Sequence, residues 1–436
     1  MYRDSTQAGV TSRTRPAFRM LIAAALASSL AIGGAGPAFA KDKQEAPAPG
    51  NSKPFIQAYA PMQTIINNPS GDFAAAKAMV PTVLASVQNN ADKNTFGLAL
   101  VTLGTKLNDP ALQKEGLQLA LDSGMATPAQ AGVFQFFLGK FDYDAKNYAE
   151  ARSHFQAALQ AGYNQNDPRP AIAETYFGAG QSAEGLSYLS GVIKQEQAAG
   201  RAVPSEWLLR GLLIAYQSKL VPQANEYAEM LAASAPTPKN WQAALQVVNA
   251  VDQLDSESKL DVYRLMRLTG SLQAKQDYLG YVDAADPQRL SNEVLPVLEE
   301  GVKAGVLTTG DSFYTQAKSI AESRAAAHKS VLASVAADAQ KAPDGKIAMG
   351  AGDQYFSIAD YANAARMYQL ALDKGAPDRQ LALVRLGIAQ AEQGQLDAAK
   401  SALQQVTGAR APVAKMWLAY IATKSGAPSA APANGA

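Results

Sequence analysis

Two stretches of the chain repeat one pattern at a constant offset, and that offset restricts the fold more than any other feature. Residues 137–159 read FLGKFDYDAKNYAEARSHFQAAL, and residues 351–372 read AGDQYFSIADYANAARMYQLAL. Each carries a glycine, an aromatic-rich helix end and an Asn-Tyr-Ala or Asp-Tyr-Ala turn. Alanine, an aromatic residue and a second alanine follow. Gly139, Tyr148, Ala151, Phe155 and Ala158 match Gly352, Tyr361, Ala364, Tyr368 and Ala371, each pair displaced by 352 − 139 = 213 positions. Both stretches read as two amphipathic helices joined by a turn. A lone hairpin of this kind cannot bury its apolar face, so it needs neighbours of the same kind.

The pattern resembles the tetratricopeptide repeat (TPR). That unit runs W-x2-L-G-x2-Y, then A-x3-F, then P, with a period of about 34 residues. Leu138, Gly139, Ala151, Phe155 and Ala158 carry the best copy. The next keeps Tyr176, Leu189 and Val192, with Gly185 at the small position, and 185 − 151 = 34. Near the C-terminus Gly352 is followed by Gly387 and Ala364 by Ala399, and both steps (387 − 352 and 399 − 364) are 35. A further copy holds Trp207, Gly211, Ala224 and Pro236. The copies are degenerate: the tryptophan and terminal proline are mostly missing, and the step from Gly185 to Ala224 is 224 − 185 = 39. The resemblance implies an all-α fold, a right-handed superhelical α-solenoid of antiparallel helix pairs. Gly139, Ala151, Phe155, Ala158, Gly352, Ala364, Tyr368, Ala371, Gly387 and Ala399 would be its packing residues.

Local punctuation agrees with short helices throughout. Asp72 opens one that runs through Phe73, Ala76, Val80 and Val83, with Pro81 as a flaw. Asp109-Pro110, Thr127-Pro128, Asp167-Pro168, Thr237-Pro238 and Asp286-Pro287 each read as a helix start. The Asp or Thr oxygen accepts from an orphan N–H, and proline at the first position has no N–H to leave unpaired. Gly124, Gly162, Gly270, Gly305 and Gly375 read as helix stops. No alternating strand pattern competes, and about twenty helices are expected. The repeats divide into an N-terminal array over 54–254, a middle region over 255–342, and a C-terminal pair with a capping helix over 343–424. No motif copy falls in the middle region, which reads either as diverged repeats or as a separate helical insert. Residues 425–436 are low-complexity and read as a disordered tail.

The first forty residues have the form of a bacterial export signal. Arg3, Arg13, Arg15 and Arg19 precede an apolar run over residues 20–32, and Ala38-Phe39-Ala40 is a small-x-small cleavage site. Cleavage after Ala40 is expected, the alternative being an uncleaved anchor. Residues 41–53 read as a flexible linker. The first forty residues hold four arginines and one aspartate, so removing them takes the net charge from +1 to 1 − 3 = −2. A near-neutral chain without basic clusters lacks the footprint of nucleic-acid binding. No later run is long and apolar enough to span a membrane, so the mature chain is expected in the periplasm as an exported bacterial TPR protein.

Motifs for chemistry are missing. Cysteine is absent, and the two histidines, His154 and His328, are not part of an H-E-x-x-H. Gly178–Gly180 and Gly350–Gly352 follow no strand and do not continue as phosphate loops. No catalytic, metal-binding or cofactor-binding residue is expected. The resemblance instead places the first helices of successive repeats on a concave wall. Phe136, Lys140 and Tyr143 stand at i, i+4 and i+7 on one helical face. Aligned positions give Glu174 and Phe177 in the next repeat, and Asp353 and Phe356 near the C-terminus. Aromatic and charged groups on such a wall suit an extended peptide or a helix, although aromatics at helical spacing equally suit a core. The expectation is a non-enzymatic scaffold for a protein or peptide partner in envelope assembly, secretion or polysaccharide export. The alternative is an envelope glycan-processing enzyme or its accessory subunit.

Overall fold

A computed structural model describes residues 50–425. The expected signal, most of the linker and all but the first residue of the tail lie outside the described residues. Among those described, all regular structure is helical. The chain forms two compact units, the first ending at Gln181 and the second beginning at Ser182. Within each, consecutive helices pack on one another across short turns, which makes neighbours antiparallel. Each unit is thus an all-α, TPR-like array of helix pairs.

The described part of the first unit comprises α1 (Lys53–Asn67), α2 (Phe73–Ala78), α3 (Val80–Ala85), α4 (Asn90–Leu107), α5 (Pro110–Asp122), α6 (Pro128–Asp144), α7 (Tyr148–Gln160) and α8 (Pro168–Gly178). Helix α4 shows how the array builds its core. Its Phe96, Leu100 and Leu103 pack with Phe55, Met62 and Val83, whereas its Val101 packs with Leu117, Phe134 and Leu138. One helix therefore serves two successive apolar layers.

Four of the five Asp/Thr-Pro pairs cap helices. Asp109, Thr127, Asp167 and Thr237 accept from the backbone N–H of Leu112, Gln130, Arg169 and Asn240. The fifth does not. Asp286 ends the preceding helix in a left-handed conformation (φ 57°), its carboxylate accepts from Gln288 N, and the next helix starts only at Ser291. Pro81 also matters more than as a flaw. The helix capped by Asp72 stops at Ala78, and a second begins at Val80 with Pro81 in its first turn, because proline has no N–H with which to continue the first. The five glycine stops all have φ between 65° and 77°.

Close helix contacts recur with the repeat. A methyl group on Gly139 would lie 2.8 Å from the Phe155 ring, and one on Gly352 2.5 Å from the Tyr368 ring. In both cases the ring stands 16 positions on (155 − 139 and 368 − 352), which is the spacing from the first helix of a pair to the second. Gly387 meets Leu403 at the same separation, 403 − 387 = 16. Ala151, Ala158, Ala364, Ala371 and Ala399 are fully buried in these seams. Replacing Ala151 or Ala364 with leucine is expected to overpack them and lower stability by about 1–3 kcal/mol, read from denaturant midpoints.

The second unit comprises α9 (Ser182–Ala198), α10 (Ser205–Gln217), α11 (Val221–Ser234), α12 (Pro238–Val251), α13 (Ser256–Leu268), α14 (Lys275–Ala285) and α15 (Ser291–Lys303). It continues with α16 (Ser312–Lys341), α17 (Lys346–Ser357), α18 (Tyr361–Asp373), α19 (Arg379–Glu392), α20 (Leu396–Leu403), a short 3₁₀ turn (Gly408–Arg410) and α21 (Ala411–Lys424). The middle region keeps the same succession, since α13 to α17 each pack on the next. Helix α16 departs from the short-helix expectation at 30 residues.

The last helix does more than close an apolar end. Helix α21 packs against α11, α12 and α13, near the start of the same unit, as well as on α19 and α20. Its Val413, Met416 and Trp417 are at most 1% exposed, and the Trp417 indole N–H donates to the Asp261 carbonyl on α13 at 3.0 Å. The second unit therefore turns back on itself.

Candidate partner-binding groove

Four of the seven expected groove residues lie together in the first unit. Phe136, Lys140 and Tyr143 project from one face of α6, and Glu174 projects from α8. With Asp144, Phe155 and Ala171 they line a pocket of about 170 Å³. Phe136 forms its floor. It is 8% exposed, stacks on Tyr163 with ring centroids 4.7 Å apart and leans on Phe155 at 5.6 Å. Tyr143 meets Tyr148 edge-on at 5.5 Å. Burial lowers the Lys140 pKa below the ordinary lysine value, while the nearby Asp144 pulls it back up. Phe177 is half-buried three residues beyond Glu174 on α8 and is not part of the lining.

The chemistry of this pocket is an aromatic floor with an ionic rim of Lys140, Asp144 and Glu174. Clefts that enclose whole small molecules run to roughly 300–1,000 Å³. At about 170 Å³ this one has room for a single side chain. It suits one apolar residue of a longer segment, whose neighbouring backbone would lie along the charged rim.

Asp353 and Phe356, in the second unit, do not line an open wall. Both are buried. Asp353 receives both its oxygens' bonds from Arg385 Nη1 at 2.6 Å and a third from Tyr368 Oη at 2.9 Å. Phe356 lies beneath the Arg264 guanidinium at 4.1 Å and edge-on to Tyr361 at 5.0 Å. The reason is the closure of that unit. Helix α13, from the start of the unit, brings Arg264 onto the face that an open array would offer to a partner, and α19, one repeat on from α17, adds Arg385.

Those arginines belong to a buried ionic network. Arg264 is bidentate to Glu293 at 2.7 and 2.8 Å and reaches Asp261 at 3.0 Å, and Tyr281 Oη donates to Glu293 at 2.7 Å. Arg385 pairs with Glu257 as well as Asp353, and Arg289 bridges the same two carboxylates at 3.0 and 3.4 Å. Burial opposes the charge of Glu293, but Arg264 and the Tyr281 hydroxyl hold its pKa below the usual glutamate value. Asp261 goes the other way. Its burial is complete and raises its pKa despite Arg385 and Arg264, and its Oδ2 has no hydrogen-bond partner among the described residues. None of this network was anticipated from the motifs. A signal was present: Arg385 interrupts an otherwise apolar run, LALVRLGIA, over residues 381–389. A long charged side chain in the middle of such a run requires a buried partner.

Neither histidine is part of the pocket lining. His154 Nδ1 is 2.6 Å from Gln135 Oε1, and its Nε2 is 3.4 Å from Asp142 Oδ2. His328 Nδ1 meets Ser291 Oγ at 3.0 Å. Among the described residues no three histidine or acidic side chains converge as a metal site, and no helix is long and apolar enough to cross a membrane. Burial lowers the His154 pKa from its ordinary value of 6.5, Asp142 opposing and Lys114 assisting. A depressed folded-state value means the unfolded chain binds the proton more readily. The stabilisation is therefore complete above pH 6.5 and lost as pH falls through the lowered value. The wild type is expected to lose stability faster than His154→Gln as pH drops below that point, as measured by parallel denaturant titrations.

No family model matches this chain, and neither does any curated protein. Among solved structures it is similar to a chain of the complex described as Naa15/Naa10 bound to HypK-THB, with a TM-score of 0.42 and 15% identity. The alignment covers 85% of this chain and 60% of that one, so this chain spans less than two thirds of its neighbour's length.

Proposed function

We propose that this chain is a non-enzymatic scaffold, exported to the periplasm, that holds an extended segment of a protein partner in envelope assembly, secretion or polysaccharide export. The observation that carries the reading is the convergence of Phe136, Lys140, Tyr143 and Glu174 on one pocket sized for a single side chain. The export signal, with Ala38-Phe39-Ala40 before Lys41, supports the compartment. The helix-pair array supports a role in presenting surface rather than in chemistry.

The test uses the full chain expressed in a Gram-negative host. Fractionation should place it in the periplasm, with Lys41 as the mature N-terminus. A photo-crosslinking side chain at position 140 should join a partner protein there. Phe136→Leu keeps the floor apolar but removes the ring, and is expected to weaken that crosslink about tenfold, as for loss of a central aromatic contact. An uncleaved chain in the cytoplasm would remove the compartment from the reading. A crosslink indifferent to Phe136→Leu would remove the pocket.

A further inference from the structure

A cleft in the second unit is independent of that pocket and differs from it in character. It measures about 790 Å³ and lies over α11, between α9 and the start of α21. No aromatic residue lines it, and beside Pro222, Ala411 and Pro412 it carries hydroxyl, amide and charge: Ser187 and Lys194 from α9, Gln223, Glu226 and Glu229 from α11, and Lys415 from α21.

The charges are not equivalent. Glu226 is already answered, accepting from Ser190 Oγ and from Lys194 Nζ, both at 2.8 Å. Glu229, one turn further along α11, has no hydrogen bond or ion pair among the described residues, and neither has Lys415 across from it. Glu229 is half-buried, and this burial raises its pKa although Lys415 and Lys194 pull it down. An opposite pair thus lines one cleft with no bond joining the two.

The composition excludes several ligand classes. A polyphosphate or nucleic acid would meet the unpaired Glu229, and a polyamine the unpaired Lys415. A ligand with one ammonium and one carboxylate meets neither objection: the ammonium sits at Glu229 and the carboxylate at Lys415. The hydroxyl of Ser187 and the amide of Gln223 in the same lining match a peptide backbone, and the volume falls in the range of sites that enclose small ligands.

We infer that this cleft binds a zwitterionic α-amino ligand, either a short peptide through its free termini or a free amino acid offering the same two groups.

Equilibrium dialysis of the full chain against three pools tests this: tripeptides with free termini, the same tripeptides acetylated and amidated, and free amino acids. Retention of the free-terminus pool, of the amino acids, or of both is expected, and which is retained identifies the source. The blocked pool should not be retained. Glu229→Gln preserves shape and Lys415→Ala alters an exposed side chain, so both should fold, as checked by circular dichroism. Each should weaken retention about tenfold through loss of one charge-assisted bond. Retention of no pool at millimolar concentration, equal retention of the blocked tripeptides, or indifference to both substitutions would overturn the assignment.

Discussion

Replacing Arg385 with alanine is expected to lower stability by about 3–5 kcal/mol, the range for breaking one side of a buried ion pair. The side chain is 2% exposed and reaches Asp353 on α17 and Glu257 on α13, with Asp261 at 3.8 Å. Removing it leaves the buried Asp261 and Asp353 with only Arg264 and the half-exposed Arg289 as counter-charges. Arg385→Lys should recover only part of the loss, because a single ammonium cannot copy a planar fork that serves several carboxylates at once. Double substitution with Asp353→Asn should recover more than the lysine does, since it also removes one of the stranded charges. Chemical denaturation of all three variants gives the comparison. A loss below about 1 kcal/mol for Arg385→Ala, the level of a surface pair, would mean that this network is solvated in solution.

The second large effect is expected at Trp417. It is fully buried, and its indole N–H is bonded to the Asp261 carbonyl, 417 − 261 = 156 positions earlier. Trp417→Ala combines a large cavity with an unpaired buried carbonyl and is expected to lower stability by about 3–5 kcal/mol. The place where the loss appears is as informative as its size. If α21 merely covered the end of an open array, only the last helices would loosen. Because α21 packs on α11, α12 and α13, hydrogen exchange should accelerate in residues 256–268 as well as in residues 411–424. Acceleration confined to the C-terminal helices would contradict the closure. Trp417→Phe keeps most of the volume and loses the donor, and so separates the packing contribution from that of the hydrogen bond.

Much of the architecture is written in short-range chemistry. Thr127 followed by Pro128 and Gln130 makes a capping box with no help from elsewhere in the chain. Glycines 124, 162, 270, 305 and 375 end helices because each needs only its own positive φ. Gly139 with Phe155 and Gly352 with Tyr368 are contacts across a single turn, so a repeated spacing of small and aromatic residues exposes them. The groove residues Phe136, Lys140 and Tyr143 were accessible for the same reason, since three positions on one helix face need only a helix to align them.

Asp286-Pro287 shows how that kind of information runs out. The same dipeptide can end one helix as readily as begin another, and the packing of α14 on α15 selects the first. Asp353 and Phe356 show it over a longer range. Their spacing copies that of a groove wall, yet Arg264 arrives over Phe356 from a helix near the start of the unit, and Arg385 ties Asp353 to Glu257 on that same helix. By itself, then, the sequence determined that this protein is a succession of helix hairpins, where most of them start and stop, and which small residues seat their seams, because those properties depend on neighbours a few positions apart. Only the tertiary structure decided that the second unit turns back on itself and fills its would-be groove with buried ion pairs. That outcome depends on charges more than a hundred positions apart, such as Glu257 and Arg385, whose pairing no local spacing encodes.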